Sequence, residues 1–518
     1  MSPRPSGKPR AFAAALLTCA ILLAGAQTFA IEPPTADVPA REAITWRGPD
    51  GSSALHYAVY EQDAERVAAL LDAGADPNLS NRYGANPMQL AAEVGDAAIL
   101  DLLLRAGADV DSPNPEGQTA LMLVARTGNV AAAKLLVDHG ATLEARESWG
   151  EQNALMWAAA RRHPDMVAYL LDRGADPDTQ SIDRDYRRHL TKEGRAKSLD
   201  RGGFTPLLYA VRENCAACVQ TLTDHHADLD KPDPDGVSPL LLAVLDNHWD
   251  LARQLIDAGA DVQQWDIFGQ TPLLAAVNQR KASGLNPNQT LNDATGLDIV
   301  TLLLERGADP NAQLFFRPAK QRGPAFSRGT TPLIAAAGNG DVDVIKLLLA
   351  HGARANLPQA DRQTPVSVLA GASAPQAALV EGLKLLVAAG AELDILAVPH
   401  HLQRTRGGTP LHYAVDADHD QVVQGLAELG ADLNQPDVDG LTALDHAMAR
   451  NQVPFLRMRQ PVNTKLAEQL RALGATNELD VVPFWPNVGP PFYYPWSIFP
   501  LDPAAEAQAL VPGSFDHQ

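Results

Sequence analysis

This sequence of 518 residues is poor in aromatics (5%), has only three cysteines, and carries 42 Lys and Arg against 62 Asp and Glu. Each shortage excludes something. Three cysteines leave no pair of C-x-x-C pairs of the kind that holds zinc. A formal charge of −20 argues against general nucleic-acid binding, whose affinity comes from Lys and Arg neutralising phosphates. Beyond the first thirty residues, no apolar run approaches the roughly 20 residues that span a bilayer. The sequence also lacks G-x-S-x-G, H-E-x-x-H and G-x-x-x-x-G-K-[ST], so no acyl-transfer, zinc-hydrolase or phosphate-cradling signature is present. Its carboxylates recur in Gly-Ala-Asp and Asp-Gly contexts, which turn formation explains without catalysis. No catalytic residue, metal ligand or cofactor is therefore assigned.

What is there begins with a leader-like segment, residues 1–30. Arg4, Lys8 and Arg10 precede an apolar run from Ala11 to Ala24, and small residues follow at Ala24-Gly25-Ala26 and Thr28-Phe29-Ala30. This is the form of an export signal, too short in its apolar part for a membrane span. Leu16-Leu17-Thr18 before Cys19 resembles a lipoprotein cleavage box, but Thr18 is a poor residue there and apolar residues continue beyond it. Cleavage near Ala26 or Ala30 is the expectation, with a periplasmic or secreted mature chain. Residues 31–49 read as a linker.

From Asp50 onward one phrase recurs. Ser53-Ala54-Leu55-His56 is echoed at Asn86, Thr119, Asn153, Thr205, Ser238, Thr271, Thr331, Thr364, Thr409 and Thr442, and the uninterrupted steps are 33 residues. Each copy closes on Gly-Ala-Asp or a near relative, from Gly74 to Gly474, except the fifth, where His226 stands. The capping Thr or Ser, the Pro that follows it and the closing Gly predict two short helices per copy. These residues resemble the ankyrin repeat over residues 50–476. The resemblance implies an all-α solenoid of about eleven copies with short β-hairpin loops, stacked so that each copy buries its neighbours' apolar faces.

Three insertions fall on the hairpin side of the copies, at residues 179–202, 312–328 and 395–407, and they are basic on an acidic chain. They carry Arg184, Arg187 and Arg188, then Arg317, Lys320 and Arg322, then Arg404 and Arg406. They suit a binding edge for an acidic protein face or an anionic polymer, and a set of solvated loops is the favoured explanation because charge runs are common on solvated faces. Insertions near 278–295, 371–380 and 451–463 are expected to lengthen the turn between the two helices of a copy. The resemblance also places the usual ligand surface at hairpin tips and first helices, here Arg82, Tyr83, Trp149, Arg161, Arg162, Phe204, Trp265 and Phe268. Large aromatics and arginines at such places are typical interface anchors, and packing against the next hairpin is the competing explanation for each.

Cys215 and Cys218 form a C-x-x-C without the following His of haem attachment and without a thioredoxin-like strand before it. A structural role is favoured, as a buried Cys218 or a local disulfide, and redox chemistry stays open. Residues 477–500 gather seven of the chain's 28 aromatics between prolines, and 501–518 read as a disordered terminus. The aromatic segment fits a cap on the last copy, a ligand for a partner, or a disordered end; the cap is favoured because bare aromatics would form an apolar patch. The expected function is that of an exported, non-catalytic scaffold for a protein partner. The alternatives are an enzyme built from the insertions and tail, and a secreted effector or inhibitor.

Overall fold

The recurring phrase forms a helix start wherever it occurs. In the computed structural model, which describes residues 38–184, 202–282, 293–315, 328–398, 407–448 and 462–476, Thr205 Oγ1 accepts the Leu208 N–H at 3.2 Å and Ser238 Oγ that of Leu241. Pro206 and Pro239 open these helices at positions where an N–H would be unbonded. Five second helices start on Asp or Asn, as at Asp63, whose carboxylate accepts the Arg66 N–H at 2.9 Å. They end in left-handed glycines such as Gly74, φ 92°, with open space around the missing Cβ. Backbone conformation alone therefore selects glycine there. In the fifth copy His226 takes the same conformation, φ 62°.

The chain divides into two compact units, meeting between Asp176 and Pro177. In the first, α1 (Ala40–Ala43) precedes four helix pairs: α2 (Ala54–Tyr60) with α3 (Ala64–Asp72), α4 (Pro87–Val94) with α5 (Ala97–Arg105), α6 (Ala120–Thr127) with α7 (Val130–Asp138), and α8 (Ala154–Ala160) with α9 (Pro164–Asp172). First helices stack as α2, α4, α6 and α8, and second helices as α3, α5, α7 and α9. Small residues such as Ala58, Ala91, Ala125 and Ala158 let the first helices approach. Val67, Leu70, Leu100, Leu103 and Leu136 fill the space beneath the second row.

The second unit holds seven pairs: α10 (Pro206–Arg212) with α11 (Ala216–Asp224), α12 (Pro239–Leu245) with α13 (Trp249–Asp257), α14 (Pro272–Ala282) with α15 (Gly296–Glu305), α16 (Pro332–Gly338) with α17 (Val342–Ala350), α18 (Pro365–Ala370) with α19 (Gln376–Ala388), α20 (Pro410–Asp416) with α21 (Asp420–Glu428), and α22 (Ala443–Ala447) with α23 (Thr464–Ala472). Its first helices stack in chain order. The described residues thus form eleven helix pairs, in line with the expected eleven or so copies.

Two of the helix-side insertions lengthen helices as well as turns. α14 runs 11 residues and α19 runs 13, because Gln279-Arg280 and Gln376-Ala377-Ala378-Leu379 are good helix formers. On the α14 extension, Arg280 pairs with Asp341, the N-cap of α17, and lies 3.5 Å from Asp343.

The expected hairpin loops are turns too short to form strands. Among the described residues the only β pairings are the isolated bridges Arg47–Ser53 and Asp183–Gly202. A tip such as 81–85 closes through Asn81 N–H to Ala85 O and Gly84 N–H to Asn81 O, while the Asn81 side chain accepts the N–H groups of Tyr83 and Ala85. Gly84 is needed twice over: its φ is 77°, and a Cβ would sit 2.5 Å from Pro115 Cγ of the next tip. Single backbone bonds join tips, Arg82 N–H to Asp50 O and Ser148 N–H to Glu116 O in the first unit, and Ile267 N–H to Asp235 O in the second. A further ladder runs beside them, with Asn78, Asp111 and Glu144 each accepting the N–H that follows Gly-Ala in the next copy. These bonds hold the tips rigidly on the helices.

Candidate interaction surface

In the first unit the tips and first helices present an aromatic surface. Tyr60, Tyr83 and Trp149 are 61%, 65% and 67% exposed, and Val94 at the end of α4 is exposed as well. Trp46 packs edge-on against Tyr57 at 5.4 Å between ring centres. Burial and then the Asp50 charge hold the Tyr57 phenol above its usual pKa, so it is a hydrogen-bond donor at neutral pH. The Arg126 guanidinium lies over the Trp157 ring, 5.6 Å from its centre, and reaches Glu93 at 3.5 Å. Trp157 Nε1–H is buried and has no partner among the described residues.

The tip that carries Trp149 is built on a buried carboxylate. Glu147 accepts the N–H groups of Trp149, Gly150 and Gln152 at 2.6–3.1 Å. Trp149 thus stands in water on a fixed loop. Arg161 and Arg162 follow α8, both exposed, and Arg162 takes a left-handed φ of 63° at the turn where the two preceding copies have Gly95 and Gly128. Of the residues picked from the sequence, Arg82, Tyr83, Trp149, Arg161 and Arg162 all lie in this unit and are exposed.

The others belong to the second unit. Trp265 is 38% exposed, with its ring edge-on to Phe315, and Phe268 is half-buried, its carbonyl accepting the Phe315 N–H. Phe204 is a correction. The residue just before the capping Thr205 points inward, so Phe204 is buried, packed edge-on against Tyr209 and covered by the Arg212 guanidinium 5.2 Å from its ring. It serves the fold rather than a tip. Of the basic insertion residues, Arg184 is half-buried and engaged. Arg187, Arg188, Arg317, Lys320, Arg322, Arg404 and Arg406 lie outside the described residues, as do the leader with Cys19 and everything from 477 to 518.

Cys215 and Cys218 are joined by a disulfide at the start of α11, where Cys215 Sγ accepts the Cys218 N–H at 3.3 Å. The sulfur takes the capping role of Asp63 and Asp96 in other copies. Both cysteines are buried, which gives a large substrate disulfide no route to them.

One polar cluster was not singled out from the sequence. Buried His446 donates from Nδ1 to Asp416 at 2.9 Å and from Nε2 to Asp437 at 3.0 Å, and its ring lies edge-on to His412 at 4.8 Å. Burial opposes its charge, but the two carboxylates outweigh burial and raise its pKa to about 9. His412 is driven down to about 4 by burial and by the neighbouring His446 charge. Its Nδ1 accepts the Thr409 N–H at 3.2 Å and its Nε2–H donates to Leu441 O at 3.0 Å. His412, Asp437 and His446 form the one group among the described residues close enough to hold a metal ion. Every ring nitrogen of that group is already committed to a hydrogen bond, so the cluster holds a proton rather than offering lone pairs. The sequence signal was the fifth place of the phrase, where Tyr57 and Tyr413 stand in other copies and His446 stands here.

A protein-family model described as "Ankyrin repeats (3 copies)" matches residues 19–114, 88–181, 207–314 and 290–397, and one described as "Ankyrin repeats (many copies)" matches 397–447. A curated relative, "Ankyrin repeat, SAM and basic leucine zipper domain-containing protein 1" of Dasypus novemcinctus, is 28% identical over 160 residues. That match covers 30% of this chain and 29% of the relative. Among solved structures, the ankyrin repeat domain of Bcl-3, described as a member of the IkappaB protein family, is 27% identical. The match spans 50% of this chain and all of that one at a TM-score of 0.40. No helix among the described residues is long and apolar enough to cross a membrane.

Proposed function

Because the chain belongs to the ankyrin-repeat family, whose members are usually non-catalytic binding scaffolds, we propose that it captures a protein partner on the aromatic face of its first unit. The observation that carries this reading is the pair of Tyr83 and Trp149, both about two-thirds exposed on tips fixed by the half-buried Asn81 and the buried Glu147 side chains. Rigid aromatic anchors lose little entropy on binding. At about 25 cal/mol per Å² and 150–250 Å² per ring, burying the exposed part of each would contribute about 2–4 kcal/mol. Arg82 next to Tyr83, and the exposed Arg161 and Arg162 after α8, favour a partner with acidic groups beside its apolar contact.

The proposal extends to export. The leader-like residues 1–30 support it, and so does the buried Cys215–Cys218 disulfide, since such bonds persist in oxidising compartments. Mass measurement of the mature N-terminus after expression with the leader tests this part: cleavage after Ala26 or Ala30 is expected, and an intact leader refutes it.

The binding reading is tested by capture from periplasmic extract with the full mature chain and with a Tyr83→Ser, Trp149→Ser, Arg161→Ser, Arg162→Ser variant. A defined protein should be recovered by the wild type and lost by the variant, with thermal unfolding of the two alike. Equal recovery by both would refute the assigned face.

A further inference from the structure

The second unit carries a groove that its stacking does not account for. It crosses the outer faces of α19, α21 and α23 as an open depression of about 500 Å³. Ala377, Val380 and Gly425 form its apolar floor, Gln421, Gln424 and Gln469 rise beside it, and Asp420, paired with Lys465, and Glu428 stand at its edges.

Gly425 is the telling residue. It sits inside α21, where glycine is disfavoured, yet neither conformation nor packing demands it. Its φ is not in the left-handed region, and an added Cβ would meet Val380 Cγ1 and Cγ2 at 3.5 Å, an ordinary contact. The same sixth place holds Gln254 in α13, Leu347 in α17 and Gln469 in α23. A glycine there leaves the fold intact and the groove open.

We propose that this groove receives the chain's own residues 481–499, running back from the last copy across α23, α21 and α19. The segment has seven large aromatics, five prolines and no charged residue. Its rings match the apolar floor, and its prolines leave carbonyl oxygens without competing N–H groups, which suits the amide donor of Gln421, while the Gln424 amide already donates to Glu428 at 2.9 Å. The distances allow it. Helix α23 forms one wall, and the eight residues from Thr476 to Phe484 reach about 26 Å, while three neighbouring helices span roughly 20 Å. The smaller groove between α13 and α15 is the more charged of the two, with Arg253, Asp257, Asp298 and Glu305 among its six lining residues against two charged residues of eight here, and it suits an uncharged aromatic segment less well.

The test is photo-crosslinking in the full chain, with benzoylphenylalanine replacing Gln424 and, as the control, Arg253. Docking predicts an intramolecular adduct between position 424 and residues 481–499, absent from position 253. A second substitution, Gly425→Leu, should fill the groove and cut adduct yield at least about tenfold, which corresponds to a loss of about 1.4 kcal/mol. A Phe484→Ser, Trp485→Ser, Trp496→Ser variant, which leaves the helices untouched, should do the same if Gly425→Leu fails to fold. No adduct to 481–499, equal capture at position 253, adducts only between two chains, or yields unmoved by both variants would each overturn the proposal.

Discussion

Raising the pH should loosen the eleventh copy before the rest of the second unit, because His446 is charged only while the two carboxylates around it hold its proton. In the unfolded chain a histidine titrates near 6.5, whereas burial against Asp416 and Asp437 moves this one to about 9. A raised pKa contributes stability that is fully present below 6.5 and is lost as pH climbs through 9. At about 1.36 kcal/mol per pH unit, the loss is about 3 kcal/mol, or roughly a hundredfold in the opening equilibrium. His412, held neutral down to about 4, acts in the opposite sense: its stability is present above 6.5 and declines as pH falls towards 4. The clamp is therefore strongest near pH 6.5. Amide hydrogen exchange of 443–447 and 464–472 in the full chain, corrected for the intrinsic pH dependence, reads it directly. Opening should rise about a hundredfold between pH 6.5 and 9.5 in the wild type. The His446→Asn variant should open readily throughout and lose the dependence. Corrected exchange that stays flat over that range in the wild type would refute the reasoning.

Three other outcomes are expected. Asp266, a buried tip carboxylate, is pushed up to about 6 by burial, although the Gln270 and Phe268 N–H groups oppose the shift. Its contribution is thus present below 3.8 and lost as pH rises through 6. Asp266→Asn, which keeps an acceptor like that of Asn81, should raise the melting temperature at pH 8 and leave it unchanged at pH 3.5. Replacing His226 by glycine removes a left-handed β-carbon and should stabilise the fifth copy by about 0.5–1 kcal/mol in urea unfolding, after allowing for glycine's greater freedom when unfolded. Exchanging Cys215 and Cys218 both for Ala should cost about 1 kcal/mol beyond the disulfide's own contribution through loss of the cap, and Cys215→Asp with Cys218→Ala should recover that cap in the same assay.

Much of this architecture was legible because each element of the phrase does local chemistry. A Thr or Ser hydroxyl, a proline at the first turn and a left-handed glycine act within a few residues, so Thr205-Pro206 or Gly74 could be read without knowing the neighbours. What depends on stacking was not legible. His446 meets Asp416 thirty residues back only once copies ten and eleven are in register. Phe204 reads as an aromatic at a tip, but the turn rotates it under Arg212. Residues 371–380 looked like turn because spacing was counted from phrase to phrase, while Gln376 to Leu379 propagate α19 by one more turn. On the proposed binding face, the aromatics could be found by position, and their exposure could not.

The most direct test of the account is hydroxyl-radical footprinting of the full mature chain, alone and in the captured complex, read at each tyrosine and tryptophan. The account predicts that Tyr60, Tyr83 and Trp149 are oxidised in the free chain and become several-fold protected when the partner binds, while Trp265 is unchanged. Protection of Trp265 with no change at Tyr83 and Trp149 would contradict it.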